Sequence, residues 1–173
     1  MELISHPAAS SLAVRRVSAS CQRPDPGVLL LQYRVEGDIG RLRIAPPVAP
    51  ARRDELWRHT CLEAFVQPVG AERYSEFNLS PSTQWAAYGF DAYRAGMRPL
   101  LDVPDPLLAV QSAADVLALT ARITLPAQDA GSRLVLGLTA VIEADDGSLS
   151  WWALRHAGNK PDFHLAASFI SEC

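Results

Sequence analysis

The sequence has little of what most functional classes require. It carries no excess of positive charge: sixteen basic against nineteen acidic residues leave a formal charge of −3. The field that non-specific nucleic-acid binding relies on is therefore missing. Lysine is almost absent, with Lys160 alone, so arginine supplies nearly all the positive charge. No apolar stretch approaches 18 residues, which argues against a membrane-spanning helix. Pro7, a serine cluster and the Arg15–Arg16 pair interrupt the N-terminal segment, so it does not read as a secretory signal. Three scattered cysteines, Cys21, Cys61 and Cys173, form neither a disulfide framework nor a metal knuckle, and free thiols in a cytoplasmic protein are expected. No phosphate-cradling glycine loop and no nucleophile–histidine context is present. What remains is 173 residues, 49% hydrophobic, with thirteen prolines and four tryptophans. That is enough for one domain, taken as 1–173, with a real core. Frequent proline favours short strands over long helices.

Alternation of apolar and polar residues supports that reading. LAVRRVSAS (12–20), GVLLLQYRVEG (27–37), GRLRIAPP (40–47) and DVLALTARITLP (115–126) read as strands, and ARRDELW (51–57) as a brief helical turn. WAAYGF reads as a strand to about Phe90, and the proline-containing passage 94–112 as a long loop or edge structure. The stretch from Thr60 is the most informative. Strands 60–69 and 72–79 joined at Gly70–Ala71 would pair Phe65 with Glu76 and Glu63 with Asn78. Leu62, Ala64, Val66, Phe77 and Leu79 then form a core face, while Cys61, Glu63, Phe65, Gln67, Tyr74, Glu76 and Asn78 form an amphipathic one. A second hairpin is expected in LVLGLTAVIEADDGSLSWWALRH (134–156) with its turn at Asp146–Gly147. That turn would set Ile142 opposite Trp151, making Trp151 a core residue and Trp152 an accessible platform. Many short strands without long helices indicate an all-β antiparallel sandwich.

LWRHTCLEAFVQP, YSEFNLSPSTQWAAYGFDAYRAGM and WWALRHAGNKPDFH together resemble an uncharacterised group of bacterial DOMON-like proteins, related to the family 9 carbohydrate-binding modules. The resemblance runs from about Leu12 to the C-terminus. It implies a single, curved, jelly-roll-like β-sandwich that holds a ligand on its concave side or rim. Sugar-binding members grip the ligand with aromatic rings and bond its hydroxyls with polar side chains. Haem-binding members use a methionine–histidine pair. For haem, the resemblance would nominate Met97 with His59, His156 or His164.

The expected function is accordingly the binding of a small ligand, a carbohydrate or sugar-containing metabolite first, without transforming it and without a cofactor. Trp57, Trp85 and Trp152 are the candidate aromatic platforms. Glu63, Tyr74, Glu76 and Asn78 are the candidate hydrogen-bonding groups, and Arg58 is a candidate for an anionic ligand group. Three rivals stand beside this reading: a glycoside hydrolase using Glu63 and Glu76 as its carboxylate pair, a non-covalent haem electron-transfer domain, and an assembly module with no small ligand. His59, Cys61 and Glu63 share one side of a strand, but its end positions are too far apart to close on one metal ion.

Overall fold

The computed structural model describes residues 1–9 and 11–172. Twelve strands follow in chain order: β1 (Glu2–Ser5), β2 (Val14–Asp25), β3 (Val28–Gly37), β4 (Cys61–Pro68), β5 (Tyr74–Leu79), β6 (Trp85–Phe90), β7 (Arg98–Pro99), β8 (Leu107–Ser112), β9 (Val116–Thr124), β10 (Leu134–Glu143), β11 (Leu149–Ala153) and β12 (Ser171–Glu172). The only helical elements among the described residues are single 3-10 turns. All named strand pairs are antiparallel.

The strands hydrogen-bond in the order β7-β6-β5-β4-β10-β11-β1-β2-β3-β9-β8, with β12 also on β10. One continuous sheet therefore curls until its two halves face each other. The fold is all-β and sandwich-like, as the alternation implied, but its halves stay joined through β1. Glu2 and Leu3 pair with β2, and Ile4 and Ser5 with β11. This joining strand precedes the first strand expected from the sequence.

Two apolar clusters follow from the curl. The main core lies between the halves and takes Leu29, Leu31, Leu117, Leu119 and Ile123 from one side, and Leu62, Phe77, Leu136, Leu138 and Trp152 from the other. The second cluster lies on the opposite face of the β4–β5–β6–β10 half, where Cys61, Phe65, Tyr74, Phe90 and Val141 meet Phe163 and Phe169 from the C-terminal segment. Phe65 stacks on Phe169 at 5.7 Å, and Tyr74 on Phe90 at 4.7 Å. Burial of the strands follows. All six residues of β5 and of β6 are buried, whereas β9 alternates because one of its faces meets solvent.

Several expectations are corrected. GRLRIAPP forms no strand: its first two residues end a 3-10 turn over Ile39–Arg41, and Leu42 makes a single bridge to Ala144. Pro46 and Pro47 remove two ladder donors there. The passage 94–112, by contrast, holds the edge structure expected of it: β8 pairs along β9 as an edge strand. Cys61 is a buried free thiol. Cys21 is disulfide-bonded, so the expectation of free thiols fails at that position. Cys173 lies outside the described residues.

Candidate functional site

The β4–β5 register is the one the sequence implied: Phe65 faces Glu76 and Glu63 faces Asn78. This places Glu63 and Glu76 diagonally on the same side of the sheet, away from the main core. The β10–β11 register differs by one residue. Val141 faces Trp151 and Ala140 faces Trp152. The cause is the turn: Ala144 N–H donates to the Ser148 carbonyl and Gly147 N–H to the Ala144 carbonyl, giving a three-residue loop over 145–147. Gly147 occupies its left-handed position at φ +86°. A one-residue slip exchanges the faces of every side chain. Trp152 is thus the core tryptophan, with its Nε1 donating to Ser150 Oγ at 3.0 Å. Trp151 turns to the second face.

That face carries a cavity of about 300 Å³. Its walls include Trp57, Phe65, Phe90, Trp151 and Phe163, and Glu63 and Glu76 line it together with Arg94, Met97, Asp162 and His164. The C-terminal segment supplies the last two polar groups through a compact network. Asp162 accepts from Arg94 Nη2 at 2.9 Å, from the Tyr93 hydroxyl at 2.6 Å and from His164 N–H at 3.0 Å. The Tyr74 hydroxyl lies 2.8 Å from His164 Nδ1 and accepts from Arg94 N–H at 3.2 Å. Arg94 is held at φ 52°, a left-handed conformation rare for a residue with a Cβ.

The electrostatics are unusual for a surface. Glu63 is 2% exposed. Burial, then the charge of Glu76, pushes its carboxyl well above the ordinary range, against a hydrogen bond from Thr139. Burial pushes Glu76 up to about 6, although Asn78 Nδ2 donates to its Oε1 at 2.7 Å and Arg94 favours its charge. His164 moves the other way, down to about 4, through burial and the Arg94 charge. Glu63 Oε2 accepts from Thr139 Oγ1 at 3.3 Å, but Oε1 is buried without a hydrogen-bond partner. Buried polar atoms without partners are uncommon in native folds.

The expected site residues divide into three groups. Trp57, Glu63 and Glu76 line the cavity. Tyr74 and Asn78 lie behind it and orient His164 and Glu76 through hydrogen bonds. Arg58, Trp85 and Trp152 are elsewhere. Arg58 pairs with Glu55 at 2.7 Å and borders a second cavity of about 620 Å³. Trp85 is 1% exposed in the main core, with the Arg52 guanidinium 4.0 Å from its ring centroid. Charged groups of the second cavity are mostly paired with each other: Glu143 accepts from Arg43 at 2.9 Å and lies 2.7 Å from His59 Nδ1. Phe90, Arg94, Trp151, Asp162 and Phe163 were not anticipated as site residues. Period-two extension of β5 to β6 could have marked Phe90; nothing local marks Asp162 and Phe163, which arrive from a distant loop.

The metal and haem constellations are also resolved. No group of three or more His, Cys, Asp and Glu residues suited to a metal occurs among the described residues. His59 is drawn to Glu143, and His156 Nε2 lies 2.8 Å from the Ile4 carbonyl. Only His164 shares the cavity with Met97. A porphyrin would project well beyond a space of about 300 Å³, so the fit to haem is poor. No helix among the described residues is long and apolar enough to cross a membrane.

Comparison with known proteins gives the fold. No protein-family model matches the chain, and no curated protein matches it. A provisionally named carbohydrate-binding protein from Bacteroides uniformis is 18% identical with a TM-score of 0.61, covering 90% of this chain and 76% of that one. A family 9 carbohydrate-binding module from Caldicellulosiruptor kristjanssonii, solved with glucose, is 15% identical with a TM-score of 0.54, covering 94% and 77%. The cellotriose complex of such a module from the same organism is 14% identical with a TM-score of 0.52, covering 98% and 80%. The chain therefore shares the fold of the family 9 carbohydrate-binding modules at low sequence identity.

Proposed function

We propose that the cavity on the second face binds a carbohydrate or sugar-containing metabolite without transforming it. The observation that carries this reading is the combination of indole and phenyl walls with buried carboxylates in one small concave space. Aromatic faces stack on the apolar side of a sugar ring, and carboxylates accept from its hydroxyls. A volume of about 300 Å³ suits one or two sugar rings. The similarity to modules solved with glucose and cellotriose supports the same choice of ligand. A DOMON-like relationship rests on the sequence segments 56–97 and 151–164 and is compatible with this fold.

One observation favours a second reading. Glu76, with its carboxyl at about 6, lines the same cavity as Glu63, as a hydrolase acid–base pair would. Burial and the Glu76 charge favour the protonated form of Glu63, which suits binding better than a nucleophile's role.

Isothermal titration with monosaccharides and short oligosaccharides tests both readings, with tryptophan fluorescence followed in parallel. Binding without release of shortened sugar is expected, with affinity reduced in Trp57→Ala and Trp151→Ala. Release of reducing sugar that disappears in Glu76→Gln would establish the hydrolase instead. A haem absorption band in the purified protein would contradict both.

A further inference from the structure

Below the aromatic walls, the cavity floor has the chemistry of a cation site. Glu63 is 2% exposed and its Oε1 has no partner. Glu76 is buried beside it on the neighbouring strand, and its Oε2 lies 3.8 Å from His164 Nε2. Two carboxylates out of water need compensating charge or protons. The cations nearby supply that charge only in part: the Arg94 guanidinium favours the charged form of Glu76 but is held by Asp162 at 2.9 Å, and His164, with burial holding it at about 4, is neutral around pH 7. The remaining groups on the adjoining strands, Cys61, Asn78, Thr139 and Tyr74, bring no positive charge. A bare metal ion fits poorly, because hard cations take six or more oxygens and no such cluster occurs among the described residues. The walls point to an organic cation instead, since aromatic faces attract ammonium groups.

The geometry points to a ligand that delivers a protonated amine to Glu63 and Glu76. Within the sugar reading, on which this rests, the preferred ligand is an amino sugar with a free amino group. Its ammonium would donate to the unpartnered Glu63 Oε1 and to Glu76 Oε2, while the ring packs against Trp57 and Trp151.

Calorimetric titration with glucosamine, N-acetylglucosamine and glucose compares ammonium, acetamide and hydroxyl on one ring. Cyclohexylamine and cyclohexanol repeat the comparison without sugar hydroxyls. Glucosamine should bind about tenfold or more tightly than the other two sugars, the size of one charge-assisted hydrogen bond. Glu63→Gln should reduce that preference, and Glu76→Gln provides a second test if the first variant folds poorly. Equal affinity for the three sugars would overturn the amine inference and leave the sugar reading standing. Binding of cyclohexylamine with no sugar bound would support the amine and overturn the sugar. Failure of all five compounds to bind would overturn both.

Discussion

Trp151 and Trp152 are adjacent in β11 but serve opposite sides of the same sheet. Trp152 is 7% exposed in the core between the sheet halves, while Trp151 lines the cavity and packs against the second apolar cluster. Their substitution should separate stability from binding. Trp152→Ala is expected to cost about 3–5 kcal/mol. Trp151→Ala should cost clearly less and should weaken sugar binding. Urea denaturation and titration calorimetry measure the two effects; comparable losses of stability would contradict the assigned faces.

Trp85 and Trp152 share the main core, but their N–H groups are treated differently. Trp152 Nε1 donates to Ser150 Oγ at 3.0 Å, whereas Trp85 Nε1 is buried without a partner. Replacement by phenylalanine removes a satisfied donor in one case and an unsatisfied one in the other. Trp85→Phe is therefore expected to cost less than Trp152→Phe, by about 1 kcal/mol or more. Equal midpoints in urea would show that packing volume alone decides the loss.

The cavity imposes opposed pH dependences. Glu76 has its carboxyl raised from 4.5 to about 6. Its contribution to stability is full below 4.5 and is lost as pH rises through about 6. His164 is lowered from 6.5 to about 4. Its contribution is full above 6.5 and is lost as pH falls through about 4. Between pH 4.5 and 6 the two slopes oppose each other. At roughly 1.4 kcal/mol per pH unit, Glu76 is worth on the order of 2 kcal/mol and His164 on the order of 3–4 kcal/mol. Glu63 adds a slope of the same sign as Glu76. Between pH 4.5 and 6, Glu76→Gln should make the slope of stability against pH more positive, and His164→Asn should make it more negative. Parallel profiles for all three proteins would refute this account.

Phe169 closes the second face over β10 at a glycine. A Cβ at Gly137 would come 2.6 Å from Phe169 Cδ1 and 3.0 Å from its Cε1. Gly137→Ala should therefore displace the ring and destabilise by about 1–3 kcal/mol. In a Phe169→Ala background the same change should cost much less. A double-mutant cycle reads the coupling, and additive effects would mean that the ring does not rest on this glycine.

Much of the strand content follows from local pattern, because alternation decides which side of a strand can be buried. β3, β6, β9 and the β4–β5 pairing were legible for that reason, including the diagonal placement of Glu63 and Glu76. β1 was not, since four residues carry too little pattern and their pairing is wholly non-local. The amphipathic face of β4 and β5 was visible as a face, but its cover was not. Phe163, His164 and Phe169 reach it across most of the chain.

The scarcities of the sequence are consistent with this structure. Little positive charge, no long apolar run and thirteen prolines suit a short-stranded fold in which proline lies mainly at strand ends and loops. The sequence alone determined that the chain would be all-β, and that two glutamates would share one face. Tertiary structure decided which tryptophan of β11 lines the cavity, because a single residue in the Asp145–Gly147 loop sets the register and period two carries that choice along the strand. It also decided that the glutamate face is a cavity and not an open surface, because only the folded C-terminal segment brings Asp162, Phe163 and His164 over it.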